Sequence, residues 1–202
     1  MKQTPTGGQA RSWFTQFPAP LLELTGVRLV ASLGAGGVLY LTPMVFHELA
    51  FSASTVTAGL ALAAAVGTVG RLLCGVLLDR GCNCGLPVLL AVGLAAGGDS
   101  LLVQAHHLPA YLLGQVLLGL AMGLYWPAIE LAVPLAAPPV PSARAFALVR
   151  TADALGIATG ALVGALLAHL NLLRGIYLVD LGCLATMATL LLRRPLPNPR
   201  PH

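Results

Sequence analysis

Charged residues are scarce in this sequence, so each one that interrupts an apolar run is a candidate for chemistry. Asp180 stands in the run from Ile176 to Leu184. A charge at the centre of a bilayer costs about 2.5–3.5 kcal/mol on insertion scales, so such a residue is retained for a reason. A carboxyl there can carry a proton or cation, or it can hydrogen-bond a neighbouring helix as a packing element. Arg150 and Asp153 are three residues apart, share one face of a helix, and can pair locally or reach Asp79 or Arg80. Arg71 precedes Asp79 by eight residues and can face it or extend towards the membrane surface. Glu130 is a possible partner for Arg71 or Arg144. The stretch from Gly67 through Gly75 and Leu77 to Asp79 and Arg80 is glycine-rich and, Arg71 aside, largely apolar until its charged end. Gly67 and Gly75 are expected to give close helix contact there.

Other chemistries find less support. His-Glu-x-x-His and Gly-x-Ser-x-Gly patterns are both absent from the sequence, and the chain is not read as an enzyme. Cys82 and Cys84 form a lone Cys-x-Cys without the second pair that a four-ligand zinc site needs. His47, His106, His107 and His169 fall on one predicted side, with Glu48 and Asp99 nearby in sequence. Imidazoles can sense pH or bind a divalent ion, but no metal site and no cofactor is expected from them.

The elements that must position these residues follow from composition. Of the 202 residues 57% are hydrophobic and only 9% are charged, against about 25% charged in a soluble domain. That excludes a water-covered globule and identifies an integral membrane protein, with the lipid bilayer as its first partner. Six apolar segments are predicted to cross it: Arg28–Phe46, Thr57–Leu78, Pro87–Gln104, Pro109–Leu131, Phe146–Leu170 and Gly175–Leu192. Each approaches the roughly 20 residues a spanning helix requires. Residues 1–27 read as a polar segment without a cleavable leader, 28–192 as a six-helix transmembrane bundle, and 193–202 as a Pro-rich tail. Basic residues crowd one side of this topology and only Arg174 falls on the other, which by the positive-inside rule puts both termini in the cytoplasm. The formal net charge of +4 reflects that bias and not nucleic-acid binding. Gly34, Gly67, Gly75 and Gly93 each meet a glycine 89 residues later, at Gly123, Gly156, Gly164 and Gly182. The match supports two three-helix repeats, inverted because each holds an odd number of crossings.

Gly75, Leu77, Asp79 and Arg80 stand in register with the loop between helices two and three of the major facilitator superfamily, G-x-L-x-D-R-x-G-R-R/K; Cys82, Asn83 and Cys84 depart from it. The stretch from Ala143-Arg144-Ala145-Phe146 through Gly156, Gly160 and Gly164 is similar to the fifth helix of its multidrug-efflux-type permeases. Arg174-Gly175-Ile176-Tyr177 to Asp180 looks like the start of their sixth. The chain thus resembles the N-terminal six-helix half of such a drug:proton antiporter. The resemblance implies a gating role for the Asp79–Arg80 motif and a cavity lined from helices one and four, with Tyr40, Gln115, Tyr125 and Trp126 as candidates. Helix packing falls to Gly67, Gly119, Gly123, Gly156, Gly160 and Gly164. Helices three and six are then peripheral, which favours a packing role for Asp180. The implied function is a half-size secondary transporter in the plasma (inner) membrane. It would export small amphipathic molecules by alternating access, as a homodimer or with a partner half. The alternative is a non-transporting truncated or helper module that packs against a full-length transporter.

Overall fold

The computed structural model describes residues 16–198; the rest of the chain, including most of the polar N-terminal segment and the last residues of the tail, lies outside them. Six α-helices account for the fold: α1 Ala19–Glu48, α2 Ala53–Asp79, α3 Gly85–Gln104, α4 Leu108–Ala136, α5 Ser142–His169 and α6 Gly175–Arg193. All six are long and apolar enough to cross a membrane, and no strand occurs among the described residues. The first helix begins at Ala19 rather than Arg28. Pro20 is tolerated in its first turn, where its missing N–H has no partner to lose, and Leu21, Leu24 and Val27 bury one face at helical spacing. Helix α4 likewise continues past Leu131 to Ala136, and α5 starts at Ser142 instead of Phe146.

Helices α1, α2 and α5 end in the same way. After α2 the Gly81 N–H donates to the Leu78 carbonyl and the Cys82 N–H to the Leu77 carbonyl, with Gly81 at φ 84°. This is a left-handed cap that ties up carbonyls the helix leaves open. Leu77 and the Asp79–Arg80 pair therefore belong to a helix terminus as well as to a sequence motif. The same pattern closes α5 at Asn171 (φ 58°) and α1 at Ala50 (φ 62°).

Packing relates the two halves of the bundle. Helix α1 lies against α5 and α6, α4 lies against α2 and α3, and α3 meets α6. Exchanging α1 with α4, α2 with α5 and α3 with α6 carries this pattern onto itself, as two inverted three-helix repeats require. Glycines let the closest pairs touch backbone to backbone. A Cβ on Gly67 would sit 2.9 Å from the Gly119 carbonyl oxygen, and one on Gly70 would sit 3.1 Å from Cα of Gly123, so α2 and α4 meet on four glycines. Gly156 and Gly160 likewise lie on the Leu29 and Leu33 carbonyls of α1. With lipid as apolar as the side chains, such close contact is a main source of association. Gly164 packs against the Leu41 and Ile176 side chains. Gly75 corrects the expectation of close contact: a Cβ there would meet nothing within 4 Å, because the partner face of α2 runs through Gly67, Gly70 and Cys74. The remaining faces of α2 and α5 are open, with Leu72 and Leu162 70% and 72% exposed.

Candidate functional site

We call the end of the bundle where α1 starts and α6 stops the terminal end; Arg194, just past the end of α6, is ion-paired with Glu23 of α1 there. In the half nearer that end, three helices bring charge together. Helix α1 carries Arg28 and Ser32, four residues apart and so on one face. Gly156 brings α5 onto α1 at Leu29 and Ser32, which sets Asp153 opposite Arg28. Arg28 Nη2 donates to Asp153 Oδ1 at 2.6 Å, and Ser32 Oγ donates to the same oxygen at 2.5 Å. Both charged side chains are buried, 5% and 12% exposed.

Helix α4 closes the site with aromatic rings and a second acid. The Arg28 guanidinium carbon lies 3.9 Å from the centroid of the Trp126 ring and 5.2 Å from that of Tyr125. Arg150 lies 4.9 Å from the same Trp126 ring. It donates to Glu130 Oε1 at 2.5 Å and approaches Asp153 Oδ2 to 3.7 Å. Two cations and two anions therefore balance around one indole. Arg28 and Asp153 form the sealed inner pair; Arg150 and Glu130, with side chains 50% and 46% exposed, form an outer pair at an open edge. The inner pair holds the helices in register, while the outer pair can exchange partners with an incoming charged group beside an aromatic face.

The structure settles several partnerships that the sequence left open. Arg150 and Asp153 approach each other, and Glu130 pairs with Arg150 instead of Arg71 or Arg144. Arg71 is exposed on α2 and has no ion pair among the described residues. Asp79 and Arg80 are exposed at the terminal end, ion-paired neither with each other nor with another described residue. Of the candidate lining residues only Tyr40, 59% exposed, faces outward fully. Trp126 is half-buried against the two arginines, Tyr125 is 6% exposed with Arg28 of α1 over its ring, and Gln115 is 3% exposed because α4 is covered by both α2 and α3. Asp180 is buried beside a second acid, Asp99.

Three residues of weight do not stand out in the sequence. Arg28 is the first residue of the predicted first span and Ser32 an ordinary polar residue within it; helical spacing from Leu21 onward is the signal that Arg28 lies well inside a helix. Asp99 falls inside the predicted third span, near the histidines in sequence. The histidines themselves do not converge: no three metal-capable side chains come together among the described residues. In the loop before α3, burial pushes the Cys84 thiol up to about 11, with the nearby Cys74 adding to the shift.

No curated protein matches this sequence. Among solved structures, the crystal structure of a POT family transporter in complex with 5-aminolevulinic acid is similar, with a TM-score of 0.76 and 16% identity over 88% of this chain and 38% of that one. The in meso crystal structure of the POT family transporter PepTSo has a TM-score of 0.73 and 15% identity over 95% of this chain and 40% of that one. The chain thus spans about two fifths of the length of these transporters, and at such identities the likeness is one of fold. A family model described as Major Facilitator Superfamily matches residues 13–202. With nearly its whole length covered by that family model, the chain belongs to the major facilitator superfamily.

Proposed function

We propose that this six-helix bundle is one half of a secondary transporter, and that it moves small amphipathic molecules outward by alternating access against a second half. The observation that carries this reading is the charge network on α1, α4 and α5, whose inner pair is sealed and whose Arg150–Glu130–Trp126 edge is open. An ion pair over an indole suits a molecule with an apolar body and a charged end. The open faces of α2 and α5 are where the second half packs, and a second copy of this chain supplies it. Halves related by an axis along the membrane normal insert the same way round, so two copies meet the topological requirement. The excess of arginines at the terminal end supports a reading with both termini in the cytoplasm of a plasma (inner) membrane.

Cross-linking in native membranes, followed by flux of a cationic fluorescent dye from liposomes, tests this. The expected result is a cross-linked dimer and dye movement that Asp79→Asn abolishes at unchanged expression. A monomer without flux overturns it and assigns the alternative, a module that packs against a full-length transporter.

A further inference from the structure

A second polar cluster lies towards the far end, and the Arg28 network does not account for it. Asp99 of α3 and Asp180 of α6 face each other where these helices pack. Asp99 is 0% exposed and Asp180 is 5% exposed. Neither carboxyl oxygen of Asp99 receives a hydrogen bond from a described residue. Helix α1 closes the third side through Gly34, where a Cβ would collide with Asp180 Oδ1 and come within 3.0 Å of its Cα. The missing side chain is what makes room for the acid.

The neighbouring donors and charges are engaged elsewhere. The hydroxyls of Tyr177 on α6 and Thr42 on α1 share a hydrogen bond of 3.1 Å. Tyr111 of α4 donates to the Val56 carbonyl at 2.7 Å. Arg174, the only arginine or lysine at this end among the described residues, donates to the Val103 and Ala105 carbonyls at 2.9 and 3.0 Å and lies 3.3 Å from His106 Nε2. Glu48, at the end of α1, is exposed. Cys183 of α6 lies against Gly34 beside Asp180 and offers only a weak S–H.

Two ionised carboxylates cannot be held side by side in this setting, where no described arginine or lysine is free to balance them. One proton resolves both difficulties. It removes a negative charge, and it makes an O–H on one acid that donates to the other. We propose that Asp99 and Asp180 form a proton-binding site in which one proton is shared between α3 and α6. The site lies close to the far surface: Asp99 is five residues before the end of α3 and Asp180 five after the start of α6, about 8 Å of helix rise. Loss of the proton leaves two like charges at the α3–α6 contact, so packing there follows pH. The sign is fixed by linkage. The folded pair keeps a proton that two separate carboxyls in the unfolded chain release, so the stabilisation is present at low pH and is lost as pH rises through the pair's titration.

The test uses the full chain in lipid nanodiscs and needs no substrate, so it stands apart from the transport reading. Infrared difference spectra across a pH titration report the carbonyl stretch of a protonated carboxyl, an indicator dye counts released protons, and thermal melting reports stability. Wild type is expected to show a band that disappears as pH rises, with release of about one proton per chain and a falling melting temperature. Asp99→Asn with Asp180→Asn is expected to lose the band, the released proton and the pH dependence. Should that double variant not fold, Asp180→Asn alone is expected to lose the pH dependence of melting. A wild type without the band, or a band and pH slope that the variants leave unchanged, overturns the proposal. So does stabilisation of wild type by sodium at fixed ionic strength that Asp180→Asn abolishes, which assigns a metal cation to the site instead.

Discussion

Two clusters of ionisable residues are buried in this bundle, and they are balanced in opposite ways. Towards the terminal end, Arg28 and Asp153 neutralise each other across α1 and α5, with Ser32 and Trp126 completing the shell. Towards the far end, Asp99 and Asp180 bring two acids together across α3 and α6, with no ion pair to either among the described residues. The first has all its charge compensated within the protein, so it acts as a fixed fastening between helices. The second is completed only by something taken from outside. Burial alone therefore does not tell a fastening from a binding site; the sum of charge and donors inside the shell does.

The comparison breaks most visibly if one acid is removed from each cluster. Asp153→Leu strands the Arg28 guanidinium and is expected to destabilise the protein by about 3–5 kcal/mol, the usual penalty for breaking a buried pair from one side. Adding Arg28→Met should recover most of that loss, because the pair is then replaced by apolar volume. Asp180→Asn, by contrast, leaves a single carboxyl and hands Asp99 an amide donor in place of the shared proton. Its expected effect at neutral pH is within about 1 kcal/mol. Thermal melting of the four proteins in one detergent reads all of this; equal losses from Asp153→Leu and Asp180→Asn would erase the distinction.

A smaller effect probes the room made for the acid pair. Gly34→Ala puts a methyl group where Asp180 Oδ1 and the Asp180 backbone now lie, and overpacking of this kind costs about 1–3 kcal/mol. Gly75→Ala, on an open face of α2, should stay neutral or gain slightly from helix propensity. Melting temperatures of the two variants check the difference.

How much of this was legible beforehand differs between span and rotation. A bilayer demands long apolar helices, so all six crossings showed in the sequence, as did the local approach of Arg150 and Asp153. The way each helix turns about its own axis is set by distant partners. Gln115 reads as a lining residue, yet α4 is covered by α2 and α3 and buries it. Arg28 sat at the edge of an apolar window, although Leu21, Leu24 and Val27 already continued the helix outward. Asp99 lay plainly within the third span, but nothing near it in sequence points to Asp180. Glycine spacing carried more: Gly67 and Gly156, paired by the repeat, do both lie on a neighbouring helix, while Gly75 does not.

The outer pair of the network supplies the smallest expected effect. Arg150 and Glu130 are bonded at 2.5 Å but about half exposed, and pairs in that position contribute about 0.2–1 kcal/mol. Glu130→Gln leaves Arg150 beside Asp153 and the Trp126 ring, and Arg150→Ala leaves Asp153 bonded to Arg28 and Ser32. Neither strands a buried charge, so each should cost less than about 1 kcal/mol. The loss should fade in 1 M salt, where screening acts within roughly 3 Å. Melting at low and high salt measures it. A cost from Arg150→Ala as large as that from Asp153→Leu, and indifferent to salt, would mean that the four charges act as one sealed unit. The open edge assigned to substrate would then be part of the fastening.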